Sequence, residues 1–164
     1  MKFLLTMGAL AMAAQPLAAK PGSQHGPADQ PKTAQASDEA AVRTVLSQYK
    51  SAIERLDATG TDGLFTTDSS LFETGGVEGN YANYLAHHLG PELKAFKSFG
   101  FSNYKVDIRF EGPVALATET YTYRIETKKG EVAERIGVAT SVLRKENGRW
   151  KILVMHSSAR KPSK

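Results

Sequence analysis

The chain has 164 residues, no cysteine and a formal net charge of +4. That length admits one domain with a sizeable core, and the absence of cysteine excludes a disulfide-stapled fold or lipid attachment at a thiol. The excess charge sits in Arg160, Lys161 and Lys164 and in Lys128-Lys129, with acids interleaved elsewhere; this is a solvated surface with a basic tail, which argues against nucleic acid as a partner.

Residues 1–19 read as a secretory signal peptide. Lys2 gives the positive start, Phe3 to Ala14 is an apolar run, and Gln15-Pro16-Leu17-Ala18-Ala19 is the cleavage region. The run is short for a bilayer core of ~30 Å, so no membrane association is expected after cleavage, and the mature protein is expected to be periplasmic or secreted. Residues 20–37 are rich in Pro, Gly, Gln and Ala and are expected to be a disordered linker, because they offer too little apolar surface to offset ordering. The folded domain is expected over 38–160, with a basic tail at 161–164.

Ser37 or Asp38 is expected to cap the first helix. Val42, Val45, Leu46, Tyr49, Ile53 and Leu56 then recur at helical spacing on one face, and Thr59-Gly60 stops it. A helical turn at 61–65 and a short strand at 71–74 follow. The second helix starts near Asn80 and places Tyr81, Tyr84, Leu85, His88 and Leu89 on one side, with His87 toward water. Pro91 lacks an N–H, so Gly90-Pro91 should kink or restart it. From Phe101 the period becomes two. Tyr104, Val106, Ile108 and Phe110 share a face, then Ala115, Ala117, Glu119, Tyr121, Tyr123 and Ile125, then Ile136, Val138, Thr140 and Val142. Glu146-Asn147-Gly148 is a hairpin turn. On the last strand, strict alternation groups Trp150, Ile152, Val154, His156 and Ser158.

Helices followed by four long hairpin-linked strands imply an α+β domain. The closing Gly148-Arg149-Trp150-Lys151-Ile152-Leu153-Val154-Met155-His156-Ser157-Ser158 resembles the last strand of the nuclear transport factor 2-like superfamily, with its SnoaL-like and ketosteroid-isomerase-like domains. Leu56-Asp57 at the end of the first helix, Leu64-Phe65, Gly79 and Ala115-Leu116-Ala117-Thr118 resemble it too. The resemblance implies a cystatin-like cone: a curved antiparallel sheet with the N-terminal helices packed on its concave face, a pocket inside, and often a homodimer through the outer face. It does not carry the isomerase aspartates onto this chain.

Candidate chemistry rests on polar groups that intrude on apolar faces. Glu119 shares a face with Ala117 and Tyr121. If that face is inward, burial would raise its pKa and suit acid–base work; if outward, it pairs at a dimer interface. Glu119 and His156 are the candidate catalytic pair, and Tyr49, Tyr84, His88, Tyr121 and Tyr123 the candidate ligand-binding residues. Each histidine could equally be a hydrogen-bonded structural group, and each tyrosine a core ring with a polar tip. The adjacency of His87 and His88 is not the i, i+4 spacing of a helical chelate, so no metal or other cofactor is expected. The sequence supports an exported domain that binds a small organic molecule. Two alternatives stand beside it, an enzyme of proton-transfer, isomerase, hydratase or hydrolase type and a dimeric assembly module without catalysis.

Overall fold

The computed structural model describes residues 32–163; the expected signal peptide, its expected cleavage site and residues 20–31 of the expected linker lie outside the described residues. Helix α1 spans Lys32–Glu54, so it begins ahead of the cap expected at Ser37 or Asp38. Asp38 has another task. Its carboxylate accepts from Trp150 Nε1 at 3.1 Å and pairs with Lys145 Nζ at 2.6 Å, pinning the start of the domain to the final hairpin. Val42, Val45, Leu46, Tyr49 and Ala52 form the buried stripe of α1, as helical spacing requires.

A 3-10 turn, Thr61–Leu64, leads into strand β1, Phe65–Glu73, which folds back as β2, Gly76–Gly79. β1 is longer than expected from its sequence because its first residues are held by the end of the chain, Phe65 pairing with Ile152. Asn80 caps α2, Tyr81–Tyr84, accepting from Asn83 N. A π-helical turn, Leu85–Leu89, then precedes α3, Gly90–Ala95. Gly90 makes this turn possible, since a Cβ there would sit 2.5 Å from the Leu85 carbonyl oxygen.

Four long strands complete the chain: β3, Phe96–Glu111; β4, Val114–Thr127; β5, Val132–Glu146; and β6, Arg149–Arg160. The sheet order is β2-β1-β6-β5-β4-β3. Every neighbouring pair is antiparallel except β1 with β6, so the sheet is mixed and not wholly antiparallel. The β5–β6 hairpin closes through Asn147 and Gly148, both at positive φ (50° and 77°), the conformation favoured in two-residue hairpin loops. The helices cover the concave side of the curved sheet, giving the α+β cone.

Two bulges redirect side chains. In β6, Ile152 pairs with Leu143 but Val154 with Val142, so Leu153 is an extra residue and the alternation changes phase there. Trp150 and Ile152 are buried on the inner face, and beyond the bulge Met155 takes that role. Strict alternation across β6 is therefore corrected: His156 is exposed and lies beside Thr140 and Phe72. In β3 the register shifts between Ser102 and Lys105, around Asn103 at φ 53°. That shift lets Phe101 and Tyr104, three residues apart, both face inward.

Candidate ligand cavity

The inner faces of β4 and β5 differ in size. β5 presents Gly137, Ala139 and Ser141, whereas β4 presents Glu119, Tyr121 and Tyr123. Small residues on one strand and large ones on the next leave space that neither fills. A cavity of about 180 Å³ occupies it, roofed by Tyr49, Lys50 and Ile53 of α1 and bounded toward solvent by Glu73 and Glu92, whose side chains are 32 % and 48 % exposed. Tyr121 lies flat across Gly137, where a Cβ would meet its ring at 2.2 Å.

The walls are aromatic. Phe99 stacks on Tyr123 at 5.2 Å, and Phe101 meets Tyr121 edge-on at 5.1 Å. Lys50 Nζ lies 5.3 Å from the centroid of Phe101 and 5.4 Å from that of Tyr104, within range of cation–π attraction. Glu54 holds this arrangement. One of its oxygens pairs with Lys50 at 2.7 Å, and the other accepts from the backbone N–H of Phe101 at 3.1 Å.

Glu119 is the buried carboxyl of the cavity, 6 % exposed, and accepts a hydrogen bond from the Tyr104 hydroxyl. Burial pushes the Glu119 carboxyl above the ordinary carboxylate range, and the Tyr104 hydroxyl offsets part of that rise. Burial likewise raises Tyr104 well above the usual phenol range, and the adjacent Glu119 raises it further. This is a neutral donor aimed at a carboxyl that resists ionisation, a pair able to accept or return a proton to a ligand held against it.

A second polar group stands at the mouth. His88 Nδ1 is 3.2 Å from Glu78, and its Nε2 is 3.7 Å from Glu73 and 3.5 Å from Glu92. Tyr84 donates to Glu73 at 2.7 Å, and its ring lies 5.1 Å from that of His88. Among the described residues, no group of three or more His, Asp or Glu side chains is arranged to hold a metal ion.

Residues 42–162 match the model of the SnoaL-like domain. The chain belongs to the SnoaL-like domain family. No curated protein matches its sequence. Among solved structures, this SnoaL-like domain is similar to an NTF2-like family member from Streptomyces avermitilis described provisionally as a dehydratase, with 20 % identity, 77 % of this chain and 99 % of that chain covered, and a TM-score of 0.67. It is also similar to an NTF2-like superfamily protein from Salmonella enterica, at 20 % identity, 80 % and 94 % coverage and a TM-score of 0.66. A type 2 hexachlorocyclohexane dehydrochlorinase matches at 11 % identity, 77 % and 87 % coverage and a TM-score of 0.67. At these identities the likeness establishes the cone fold.

In the SnoaL-like domain, Glu119, Tyr49, Tyr84, Tyr121 and Tyr123 all reach the one cavity. His88 stands at its mouth, bound to the glutamates. His156 does not join them: the Leu153 bulge turns it to the outer face, so it has no place in cavity chemistry. Tyr104, Lys50, Glu73 and Glu92 were not among the candidates from sequence. Tyr104 was signalled only by Ser102-Asn103, a polar pair in an alternating run where Asn tolerates positive φ.

Proposed function

We propose that this SnoaL-like domain binds a small organic molecule with an aromatic or alicyclic body in the cavity beneath α1, and that the Glu119–Tyr104 pair addresses a polar group of that molecule. The observation that carries this reading is a buried carboxyl facing open space among aromatic rings. A carboxyl desolvated only for packing would be costly; a ligand makes use of it. The reading is supported by a concavity whose aromatic walls surround a set of convergent polar groups, Glu119, Tyr104 and Lys50 among them.

A second reading, proton-transfer catalysis at the same cavity, is favoured by the Glu119 carboxyl, which burial raises in the direction a general acid or base requires. Glu119 would be the catalytic residue and Tyr104 its hydrogen-bond donor. The names of the dehydratase and dehydrochlorinase neighbours accord with this reading without assigning a substrate. The apolar N-terminal segment supports export, to a periplasm or outside the cell. The outer sheet face, where Ile136 and Val138 are 38 % and 41 % exposed, supports a homodimer, and an assembly module without catalysis would use that face alone.

Native mass spectrometry on the mature protein tests the reading. A retained small molecule of defined mass, lost in Glu119→Leu, is the expected result. A protein that carries no ligand and shows no chemical-shift change at the cavity tyrosines with a panel of aromatic and alicyclic fragments would overturn it. A bell-shaped rate profile that collapses in Glu119→Gln would select the catalytic form.

A further inference from the structure

The polar groups of the cavity are unevenly charged. Lys50 is the cation on its wall among the described residues, and Glu54 matches it at 2.7 Å. Glu119, deep inside, is held toward its neutral form by burial. The mouth is different. Glu73 and Glu92 both line the cavity, and both have an oxygen within 4 Å of one nitrogen of His88, whose other nitrogen faces Glu78. One imidazole carries at most one positive charge, and three carboxyl groups face it. Tyr84 adds a hydrogen bond to Glu73 but no charge. Burial pushes the Glu92 carboxyl up, His88 draws it down, and Glu73 and Glu78 raise it again; a further cation at this point would relieve that crowding.

The walls behind the mouth also favour positive charge. Ring faces attract ammonium groups through their quadrupole, and the domain already shows it, since Lys50 Nζ lies over Phe101 and Tyr104. Phe99, Tyr121 and Tyr123 extend the same surface toward the mouth. An anionic ligand would have to pass two carboxylates to reach it.

We propose that the cavity selects organic cations: an aromatic or alicyclic amine whose body lies among Phe99, Tyr121 and Tyr123 and whose ammonium meets Glu73 and Glu92 on the carboxylate oxygens that do not face His88. The inference rests on the cavity being a small-molecule site. It adds the charge class of the ligand, which neither the fold nor Glu119 determines.

Two probes of matched shape test it, 2-phenylethylammonium and 2-phenylethanol, titrated by calorimetry at pH 7 into the wild type and into Glu73→Gln/Glu92→Gln. The wild type should bind the ammonium at least about tenfold more tightly, the size of one or two desolvated cation contacts. In the double variant the preference should shrink to about twofold, a few tenths of a kcal/mol. If the alcohol binds the wild type as tightly as the amine, the charge assignment is wrong while the cavity stands. If neither probe binds, the cavity reading falls and takes the inference with it. A preference that survives in the double variant overturns the role of the two glutamates. Should the double variant fail to fold, Glu92→Gln alone, at a side chain 48 % exposed, must lose part of the preference, and an unchanged preference overturns the assignment equally.

Discussion

Gly137→Ala is the sharpest test of how the cavity is built. The backbone at Gly137 is not at positive φ, so an L side chain is conformationally allowed there, and strand context alone would favour Ala over Gly by roughly 0.5–1 kcal/mol. Space forbids it. The new Cβ would lie 2.2 Å from Tyr121 Cε2 and 2.9 Å from both Cδ2 and Cζ, contacts with the body of a ring and not the end of a flexible chain. Tyr121 must move away from β5 and into the cavity. Over-packing of this kind costs typically about 1–3 kcal/mol, so after the gain in strand preference the net loss should be up to about 2.5 kcal/mol. Urea unfolding with m unchanged, followed through the sole tryptophan, Trp150, measures it; the melting temperature should fall by about 3–5 °C per kcal/mol for a domain of this size. In a Tyr121→Ala background the clash is gone, and Gly137→Ala should become neutral or stabilising. A stabilising effect in the wild-type background, or an equal loss in both backgrounds, would refute the claim that Gly137 is kept for the Tyr121 ring.

Glu119 and Glu92 both have carboxyls raised in the folded state, chiefly by burial. An acid raised by folding leaves stability intact below its unfolded pKa and erodes it as pH climbs from there through the folded value. Stability should therefore decline above the ordinary carboxylate range, and Glu119→Gln should flatten that decline; urea titrations from pH 4 to pH 8 would expose an unaltered slope. Asp38→Ala removes the acceptor of Trp150 Nε1 and the partner of Lys145, costing about 1–2 kcal/mol and shifting the tryptophan emission, whereas Asp38→Asn should keep the Trp150 bond and lose less. Tyr104→Phe leaves Glu119 without the hydroxyl that donates to it, a loss of about 1–3 kcal/mol that should largely vanish in the Tyr104→Phe/Glu119→Leu double variant; additive losses would show that the two groups do not act as a unit. Gly90→Ala should disturb the π turn through its 2.5 Å approach to the Leu85 carbonyl, lowering stability by about 1–3 kcal/mol in thermal melts.

The cone was legible because its long elements are periodic. The α1 stripe and the inner face of β4, with Glu119 among alanines and tyrosines, follow from spacing alone. What escaped notice lay where spacing breaks. Ile152-Leu153-Val154-Met155 is apolar throughout, so either phase of alternation reads equally well, and nothing in those four side chains marks Leu153 as the extra residue. That one residue moved His156 from the cavity to the outer face. The early start of α1 was hidden for a different reason. Residues 32–37 carry no large apolar side chain, so nothing indicated that the backbone stays helical before the buried stripe begins. Glu73, Glu78, Glu92 and His88 come from four elements, and only the β1–β2 hairpin packed against the helices brings them together.

The parallel pairing of β1 with β6 has a consequence for the order in which the protein can be made. β6 lies between β1 and β5, so the last strand of the domain in chain order joins the two halves of the sheet. Until Arg149–Arg160 has emerged, α1 has lost much of the surface it packs on, and β1 and β2 are a hairpin with no sheet to join. The β3–β4–β5 meander can form from neighbouring segments, but the first third of the domain must wait for contacts at the greatest sequence separation, the kind that slows folding. The domain is therefore expected to complete its fold only once β6 is available, and a stop within β6 would leave an open sheet edge on each side of the gap.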